Sequence, residues 1–222
     1  MTRAQLGRPV GASGEETRRR ILAATMSCVA RVGYSRATIR EIARAADMTS
    51  GSLYHYFPNK SALLDAVVSE IDEIARPRLR AAAASNGDAV DRVVAVLDEF
   101  DRLLREHPHL AAFDRVMRAE TTARTRGRRP RYHGLKALRD IVYEIIEDAQ
   151  ARAGLPAGTD VRAAVNAIYA LTRGLTEQAA SLAPASYAAT LRSAKELVRG
   201  TLFAPQANRP ASTAQRRSVQ GP

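Results

Sequence analysis

The 222-residue sequence has one cysteine, no tryptophan and few other aromatic residues. The single cysteine, Cys28, excludes an intramolecular disulfide and argues against a metal site built from thiolates. No apolar run approaches the roughly 20 residues that a membrane-spanning helix needs. The stretch before Thr17 also has no hydrophobic segment of the kind found in a secretory signal. We therefore expect a cytoplasmic protein.

The sequence also lacks the constellations of an enzyme. It contains neither a glycine-rich phosphate loop nor a nucleophile elbow. Glu106 and His109 have the Glu-x-x-His spacing of di-iron bundles, but a second copy is missing and Pro108 interrupts the turn between them. We predict no catalytic residues, no metal site and no cofactor.

Basic and acidic residues are unevenly distributed along the chain. The net charge is +11, and residues 1–60 carry ten basic side chains against four acidic ones. Residues 61–203 are nearly balanced, with 21 against 19. A basic surface suits the phosphates of nucleic acid, although charge alone would equally fit a protein that is merely basic. The interpretation therefore depends on a motif.

That motif spans Thr38 to Lys60, where two short helical patterns are separated by a tight turn. Thr38 and Glu41 have the spacing of a capping box, in which each residue satisfies a backbone N–H of the other. Apolar residues then recur at helical spacing. Asp47 suits the turn, and Thr49 or Ser50 caps the second helix.

The second helix of the motif has little to bury. Leu53 is its one clear apolar anchor, and Phe57-Pro58 ends it because the residue before a proline avoids the helical conformation. Its other side chains are hydroxyls, an imidazole and phenols, which can donate to phosphate oxygens or reach base edges. The pattern indicates a helix-turn-helix with an exposed recognition helix.

The run GYSRATIREIARAADMTSGSLYHYFPNKSALLDAV resembles the DNA-binding domain of the TetR family of transcriptional regulators. The resemblance extends from about Thr17 to about Val68, and it departs from the family at Cys28, where a bulkier apolar residue is more usual. It implies an all-α fold, with an N-terminal helix-turn-helix domain joined by a linking helix to a C-terminal helical domain for effector binding and dimerisation.

The predicted DNA contacts fall into two groups. Four side chains are expected to contact mainly phosphates, namely Thr38, Tyr54, His55 and Lys60. Four others are expected to reach base edges, namely Arg40, Thr49, Ser50 and Ser52. Gly51 is expected to allow close backbone approach, and Tyr56 is left open between a phosphate contact and packing.

The chain divides into four predicted segments, which are a flexible arm 1–13, a DNA-binding domain 14–60, an effector-binding and dimerisation domain 61–203, and a disordered tail 204–222. The arm either places arginines in the minor groove or is simply a disordered terminus. An arginine-rich loop at 120–133, centred on 124–131, is either solvated or a second DNA contact.

Helical apolar patterns continue from Asn59 onward. Pro77 is expected to kink or end the linking helix. The two final helices, from Asp160 and Pro184, carry apolar residues on more than one face, which indicates a burial partner outside the domain. By resemblance, that partner is the same pair of helices in a second subunit.

Six residues are candidates for lining an effector pocket, namely Phe100, Phe113, Met117, Tyr143, Tyr169 and Arg173. They would suit a largely apolar ligand with one polar or anionic group facing Arg173. The predicted function is a repressor released from an inverted-repeat operator by a small molecule. An effector-independent or an activating DNA-binding protein of the same fold remains the alternative.

Overall fold

The computed structural model describes residues 12–124 and 136–203, which form nine α-helices and no β-strand. The helices are α1 (Ala12–Val32), α2 (Ile39–Ala45), α3 (Ser50–Tyr56), α4 (Lys60–Ala83), α5 (Ala89–Glu106), α6 (Leu110–Arg124), α7 (Lys136–Ala151), α8 (Val161–Ser181) and α9 (Pro184–Val198). The predicted all-α fold is confirmed. We call α1–α3 the head, α4 the linking helix and α5–α9 the body.

Three predicted segments lie wholly or partly outside the described residues. They are residues 1–11 of the arm, residues 125–133 of the arginine-rich stretch and the tail 204–222. Two boundaries differ from the sequence prediction. Helix α1 already begins at Ala12, within the predicted arm, and α6 continues to Arg124. The Thr121 hydroxyl donates to the Met117 carbonyl at 2.9 Å, so this threonine is satisfied inside the helix.

Helix α2 is capped as predicted, but by only half of a capping box. The Thr38 hydroxyl accepts the backbone N–H of Glu41 at 3.2 Å. The Glu41 carboxylate does not return this bond and instead accepts from Arg44 at 2.8 Å. The backbone N–H of Thr38, which the glutamate would accept in a full capping box, donates instead to the Arg36 carbonyl at 2.8 Å.

The turn and the two ends of α3 follow the sequence prediction. Asp47 adopts a left-handed conformation with φ of 53°, which aspartate tolerates better than most residues. Thr49, rather than Ser50, is the N-cap of α3. Phe57, which precedes Pro58, is extended at φ −138° and ψ 119° and ends the helix.

The linking helix does not end at Pro77, which was one of the two predicted outcomes, and continues to Ala83. Proline has no N–H to donate to the carbonyl of Glu73, one turn earlier. Pro77 and Glu73 are both exposed, so water can satisfy that carbonyl. Burial of Ala75, Leu79 and Ala83 on the opposite face keeps the chain helical past the proline.

Two apolar clusters form the core, and α4 contributes to both. Its first part supplies Leu63, Leu64 and Val67 to the head cluster, together with the head's own apolar residues. Its second part enters the body cluster. The head cluster also includes Phe113 and Met117 of α6, which are 0% and 9% exposed. Head and body are therefore joined by packing as well as by the linking helix.

Ion pairs fix the second half of α4 against the body. Arg78 forms ion pairs with two residues of α5, with Glu99 at 2.6 Å and with Glu106. Two further arginines of α4 pair with α7, Arg76 with Asp140 and Arg80 with Glu144. The hydrogen bond from Arg78 lowers the pKa of Glu106 below its ordinary value. This pair is therefore intact at neutral pH and weakens only as acid protonates the carboxylate.

Helices α8 and α9 bury one face against the rest of the body and expose the other. Val165 and Leu175 of α8 and Leu191 of α9 are buried. The opposite face of α8 exposes a line of small residues at helical spacing, namely Ala163, Ala167, Ala170 and Gly174. Within the described part of the chain, no helix is long and apolar enough to cross a membrane.

Candidate nucleic-acid interface

Helix α3 is held against the head by very few side chains. Leu53 is 0% exposed and is the single buried residue within the helix, and Phe57 directly after it is 6% exposed. The remaining positions of α3 are exposed or half-buried. A seven-residue helix fixed from one side in this way presents most of its polar surface outward.

The predicted base-contacting hydroxyls of Thr49 and Ser52 already bond each other. The Thr49 oxygen accepts the backbone N–H of Ser52 at 3.1 Å, and the two hydroxyl oxygens are 2.9 Å apart. A hydroxyl has one donor and two acceptor positions, so each retains hydrogen-bonding capacity toward a ligand. Both residues thus shape the start of α3 as well as its surface.

A groove between α2 and α3, with a volume of about 700 Å³, combines cations and hydroxyls. Arg40, Arg44, Thr49 and Ser50 are among its lining residues. Arg40 is exposed and makes no ion pair with any residue of the described ranges. Arg44 is the neighbour that the sequence reasoning left out of the site, although its spacing of four residues from Arg40 already put both on one helix face.

The aromatic residues at the end of α3 point into solvent. Tyr54 is 52% exposed and Tyr56 is 39% exposed, and His55 between them is exposed as well. Tyr56 is therefore outside the head core, which favours a contact role over packing. Thr38, another of the predicted phosphate contacts, is also exposed at the N-cap of α2.

Lys60 is half-buried and is already engaged within the protein. Its ammonium donates to the backbone carbonyl of Tyr34 and lies 4.1 Å from the centroid of the Tyr34 ring. The lysine thus ties the start of α4 to the segment after α1. An ammonium has three donors, so this bond does not by itself exclude a phosphate. No sequence pattern indicates this role of Tyr34.

Gly51 is not required by the fold. A Cβ at this position would meet only the Thr49 hydroxyl oxygen, at 3.7 Å, which is an ordinary contact. Its φ angle is also not in the left-handed region that favours glycine. The absence of a side chain leaves the backbone open to close approach from outside, as the predicted DNA contact requires.

Gly51→Ala is expected to keep or slightly raise thermal stability and yet to weaken DNA binding about 10- to 100-fold. Alanine is the better helix former by up to about 1 kcal/mol, whereas its methyl group would obstruct a close DNA contact worth about 1–3 kcal/mol. Thermal unfolding and operator titration measure the two effects. Ala45→Ser, at an exposed position of α2, is the matched control, and unchanged affinity for Gly51→Ala would remove Gly51 from the interface.

The structure does not bring the six effector candidates into one described cavity. Phe100 is 2% exposed in the body core, whereas Phe113 and Met117 lie in the head core. Tyr143 and Arg173 are exposed. Tyr143 lines a surface groove of about 430 Å³ between α7 and α8.

Tyr169 is the candidate with the most polar surroundings. Its hydroxyl lies 3.5 Å from an Arg118 guanidinium nitrogen, and its ring is 5.7 Å from the Arg139 guanidinium carbon. Arg118 also bonds Asp114, whose side chain is almost fully buried, at 2.6 Å. Helices α6, α7 and α8 therefore meet around a charged and aromatic cluster.

Comparison with known proteins identifies the head. The family described as "Bacterial regulatory proteins, tetR family" matches residues 21–67. A helix-turn-helix transcriptional repressor of Mycobacterium tuberculosis is 32% identical over 136 residues, covering 56% of this chain and 71% of the relative. The repressor KstR of Mycolicibacterium smegmatis is 32% identical over 95 residues, but the match covers only 47% of its length.

Solved structures share the whole fold. FadR from Bacillus subtilis, determined in complex with stearoyl-CoA, has a TM-score of 0.70 at 21% identity and covers 82% of this chain and 98% of FadR. GusR of Salmonella enterica has a TM-score of 0.64 at 25% identity and covers 90% of this chain and 99% of GusR. The similarity therefore extends beyond the head into the body.

Proposed function

Since the chain belongs to the TetR family and is a DNA-binding transcriptional regulator rather than an enzyme, we propose that it is a repressor that leaves its operator when a small molecule binds. The single observation that carries the proposal is the exposed polar face of α3 beside Arg40, in a head whose relatives are named repressors. The protein would act in the cytoplasm, where bacterial DNA lies.

The proposed operator is an inverted repeat read by a homodimer. Two features of α8 and α9 support the dimer. Gly174 lies within α8, and a Cβ there would meet nothing within 4 Å in this chain. Leu197 on α9 is 49% exposed. A second copy packed along these helices would cover both, and its two heads would enter successive major grooves roughly 34–36 Å apart or a multiple of that.

The proposed effector binds among the helices of the body, which carry all six candidates although these share no described cavity, near the cluster of Arg118, Tyr169 and Arg139. The stearoyl-CoA complex of FadR supports a largely apolar ligand with a polar or anionic part. An effector can shift the spacing of the heads only by binding one arrangement better than the other, and the coupling is typically about 1–3 kcal/mol. The alternative, an effector-independent or activating regulator, shares the DNA interface.

Selection of bound sequences from a random duplex pool at moderate salt tests the DNA half of the proposal. We expect enrichment of an inverted repeat, because a two-fold symmetric dimer reads two equal half-sites. The enriched duplex then serves as the probe in a search for molecules that release it. Binding that enriches no sequence and only fades as salt rises would contradict a sequence-specific regulator.

Arg40→Ala is expected to narrow the affinity gap between operator and random duplex by about 5- to 100-fold. A guanidinium that reads a base edge contributes about 1–3 kcal/mol of discrimination, and random DNA does not gain from it. Titration of both duplexes at one salt concentration measures the gap. Tyr54→Phe is the matched control, since loss of a phosphate contact should weaken both duplexes alike. Equal losses for Arg40→Ala would make Arg40 a backbone contact.

A further inference from the structure

A partly open cavity of about 210 Å³ lies where the head, the linking helix and the body meet. Helix α1 contributes Leu22, Ala23 and Met26, and α4 contributes Ile71 and Ile74. The end of α5 and the start of α6 close it with Leu103, His107 and Leu110. The cavity therefore touches the three parts whose relative position sets the orientation of the recognition helix.

The walls of this junction cavity are almost entirely aliphatic. Leu22, Leu103 and Leu110 are 3%, 1% and 2% exposed. Because they are closely packed against neighbouring core residues, these side chains cannot easily move to fill the cavity. An apolar cavity of about 150 Å³ can remain dry and can take up benzene. The junction cavity has room for a single ring with one or two further heavy atoms.

Three of the lining residues are polar, namely Arg19, Glu70 and His107, and they lie at the mouth of the cavity. The first two form ion pairs with other residues. Glu70 bonds Arg18 at 3.2 Å, and Arg19 bonds Glu15 at 2.9 Å. The half-buried imidazole of His107 makes no hydrogen bond with any residue that the structure describes. A neutral imidazole can donate or accept one bond. The two ion pairs balance two cations with two anions, so the mouth carries no net charge that would favour a charged ligand. The mouth therefore suits an uncharged ligand with one hydrogen-bonding group.

We propose that the junction cavity is a ligand site for a neutral, one-ring hydrophobic molecule with a single hydroxyl group, which bonds His107 and holds the head against the body. None of the six effector candidates lines this cavity. The site is thus separate from the effector pocket proposed for the body. Its consequence for DNA binding rests on the proposed regulatory function, but ligand binding itself does not.

Methyl NMR of methionine-labelled protein tests binding directly, with para-cresol as the probe. Met26 lines the cavity, whereas Met48 lies between α2 and α3 and serves as an internal reference. Met26→Leu assigns the signal. We expect para-cresol to shift the Met26 methyl signal saturably at millimolar concentration or below, while the Met48 signal stays in place. Toluene and para-toluate, which lack the hydroxyl or carry a charge, should bind at least several-fold more weakly.

Two variants separate the site from non-specific uptake. Ala23 is exposed at the cavity, so Ala23→Phe adds a ring at the mouth without displacing a core side chain, and it should abolish the Met26 shift. Ala81→Phe, at an exposed position of α4 away from the cavity, should leave the shift intact. His107→Leu should remove the preference for para-cresol over toluene. A Met26 signal that does not move, or that moves equally in Ala23→Phe, overturns the proposal.

Operator titration then tests the regulatory consequence. Saturating para-cresol should change the operator affinity of the unmodified protein by at least several-fold and should leave that of Ala23→Phe unchanged. Constant affinity in spite of a saturable Met26 shift would overturn the regulatory role. Failure of operator selection would overturn the proposed function but would not alter the Met26 result. The two failures are therefore distinguishable.

Discussion

Ala170→Glu is expected to convert the proposed dimer into monomers and to lower affinity for an inverted-repeat operator by about 10²- to 10⁴-fold. Ala170 is exposed in the line of small residues on α8. In the proposed dimer this line faces its symmetry mate, so each copy would bury a carboxylate near the other. Burying an unpaired charge is costly and like charges repel, and monomers lose the avidity of two linked heads.

Light scattering after size exclusion measures the change, since the monomer mass is 24.1 kDa and a dimer has twice that mass. Ala81→Glu places the same carboxylate at an exposed position of the linking helix and should remain dimeric. The half-site affinity of Ala170→Glu should stay close to that of one head of the unmodified protein. A variant that is still dimeric would place the interface elsewhere on the body.

The parts of the fold that local chemistry determines could be predicted from the sequence. The caps of α2 and α3, the left-handed turn at Asp47 and the extended residue before Pro58 depend on neighbours within a few positions. The residue type alone predicts such a feature, because a cap needs one hydroxyl group and a turn needs one residue that tolerates the backbone angle. Leu53 could likewise be predicted as the anchor of α3.

The position of Pro77 shows why other features could not be predicted. Proline disfavours a helix interior by about 3 kcal/mol, so local preference predicts a break or a kink. The apolar face that continues to Ala83, and the arginines that bind α5 and α7 around it, offset that cost only after the body has formed. Contacts between distant segments decided the outcome, and the sequence pattern around the proline does not contain them.

The candidate sites also differ in how far they could be predicted from the local sequence. The surface of α3 is formed by one short segment, so its exposed residues could be identified from the sequence pattern. Lys60 could be placed at the start of α4, but its bond to the Tyr34 carbonyl joins residues 26 positions apart. Effector candidates chosen by residue type fell into different clusters, since an aromatic side chain on an apolar helix face suits a core as well as a pocket. The junction cavity involves three separate segments, and no short motif indicates it.

Leu53→Ala is expected to destabilise the head by about 2–5 kcal/mol and to abolish specific operator binding. Leu53 is 0% exposed and is the one buried side chain within α3. Because α3 has seven residues, it is too short to persist without tertiary packing. Loss of its anchor should leave Thr49, Ser50 and Ser52 without a defined geometry. Operator titration well below the melting temperature, together with amide exchange of residues 50–56, measures both effects.

Leu79→Ala provides the matched comparison, because Leu79 is also 0% exposed but belongs to the body core. Both variants should lower the melting temperature by on the order of 10 °C. Only Leu53→Ala should raise the amide exchange rate of α3 and remove operator binding at low temperature, since the body core does not contact the recognition helix directly. If Leu79→Ala loses operator binding to the same extent, global stability rather than the seating of α3 controls DNA recognition.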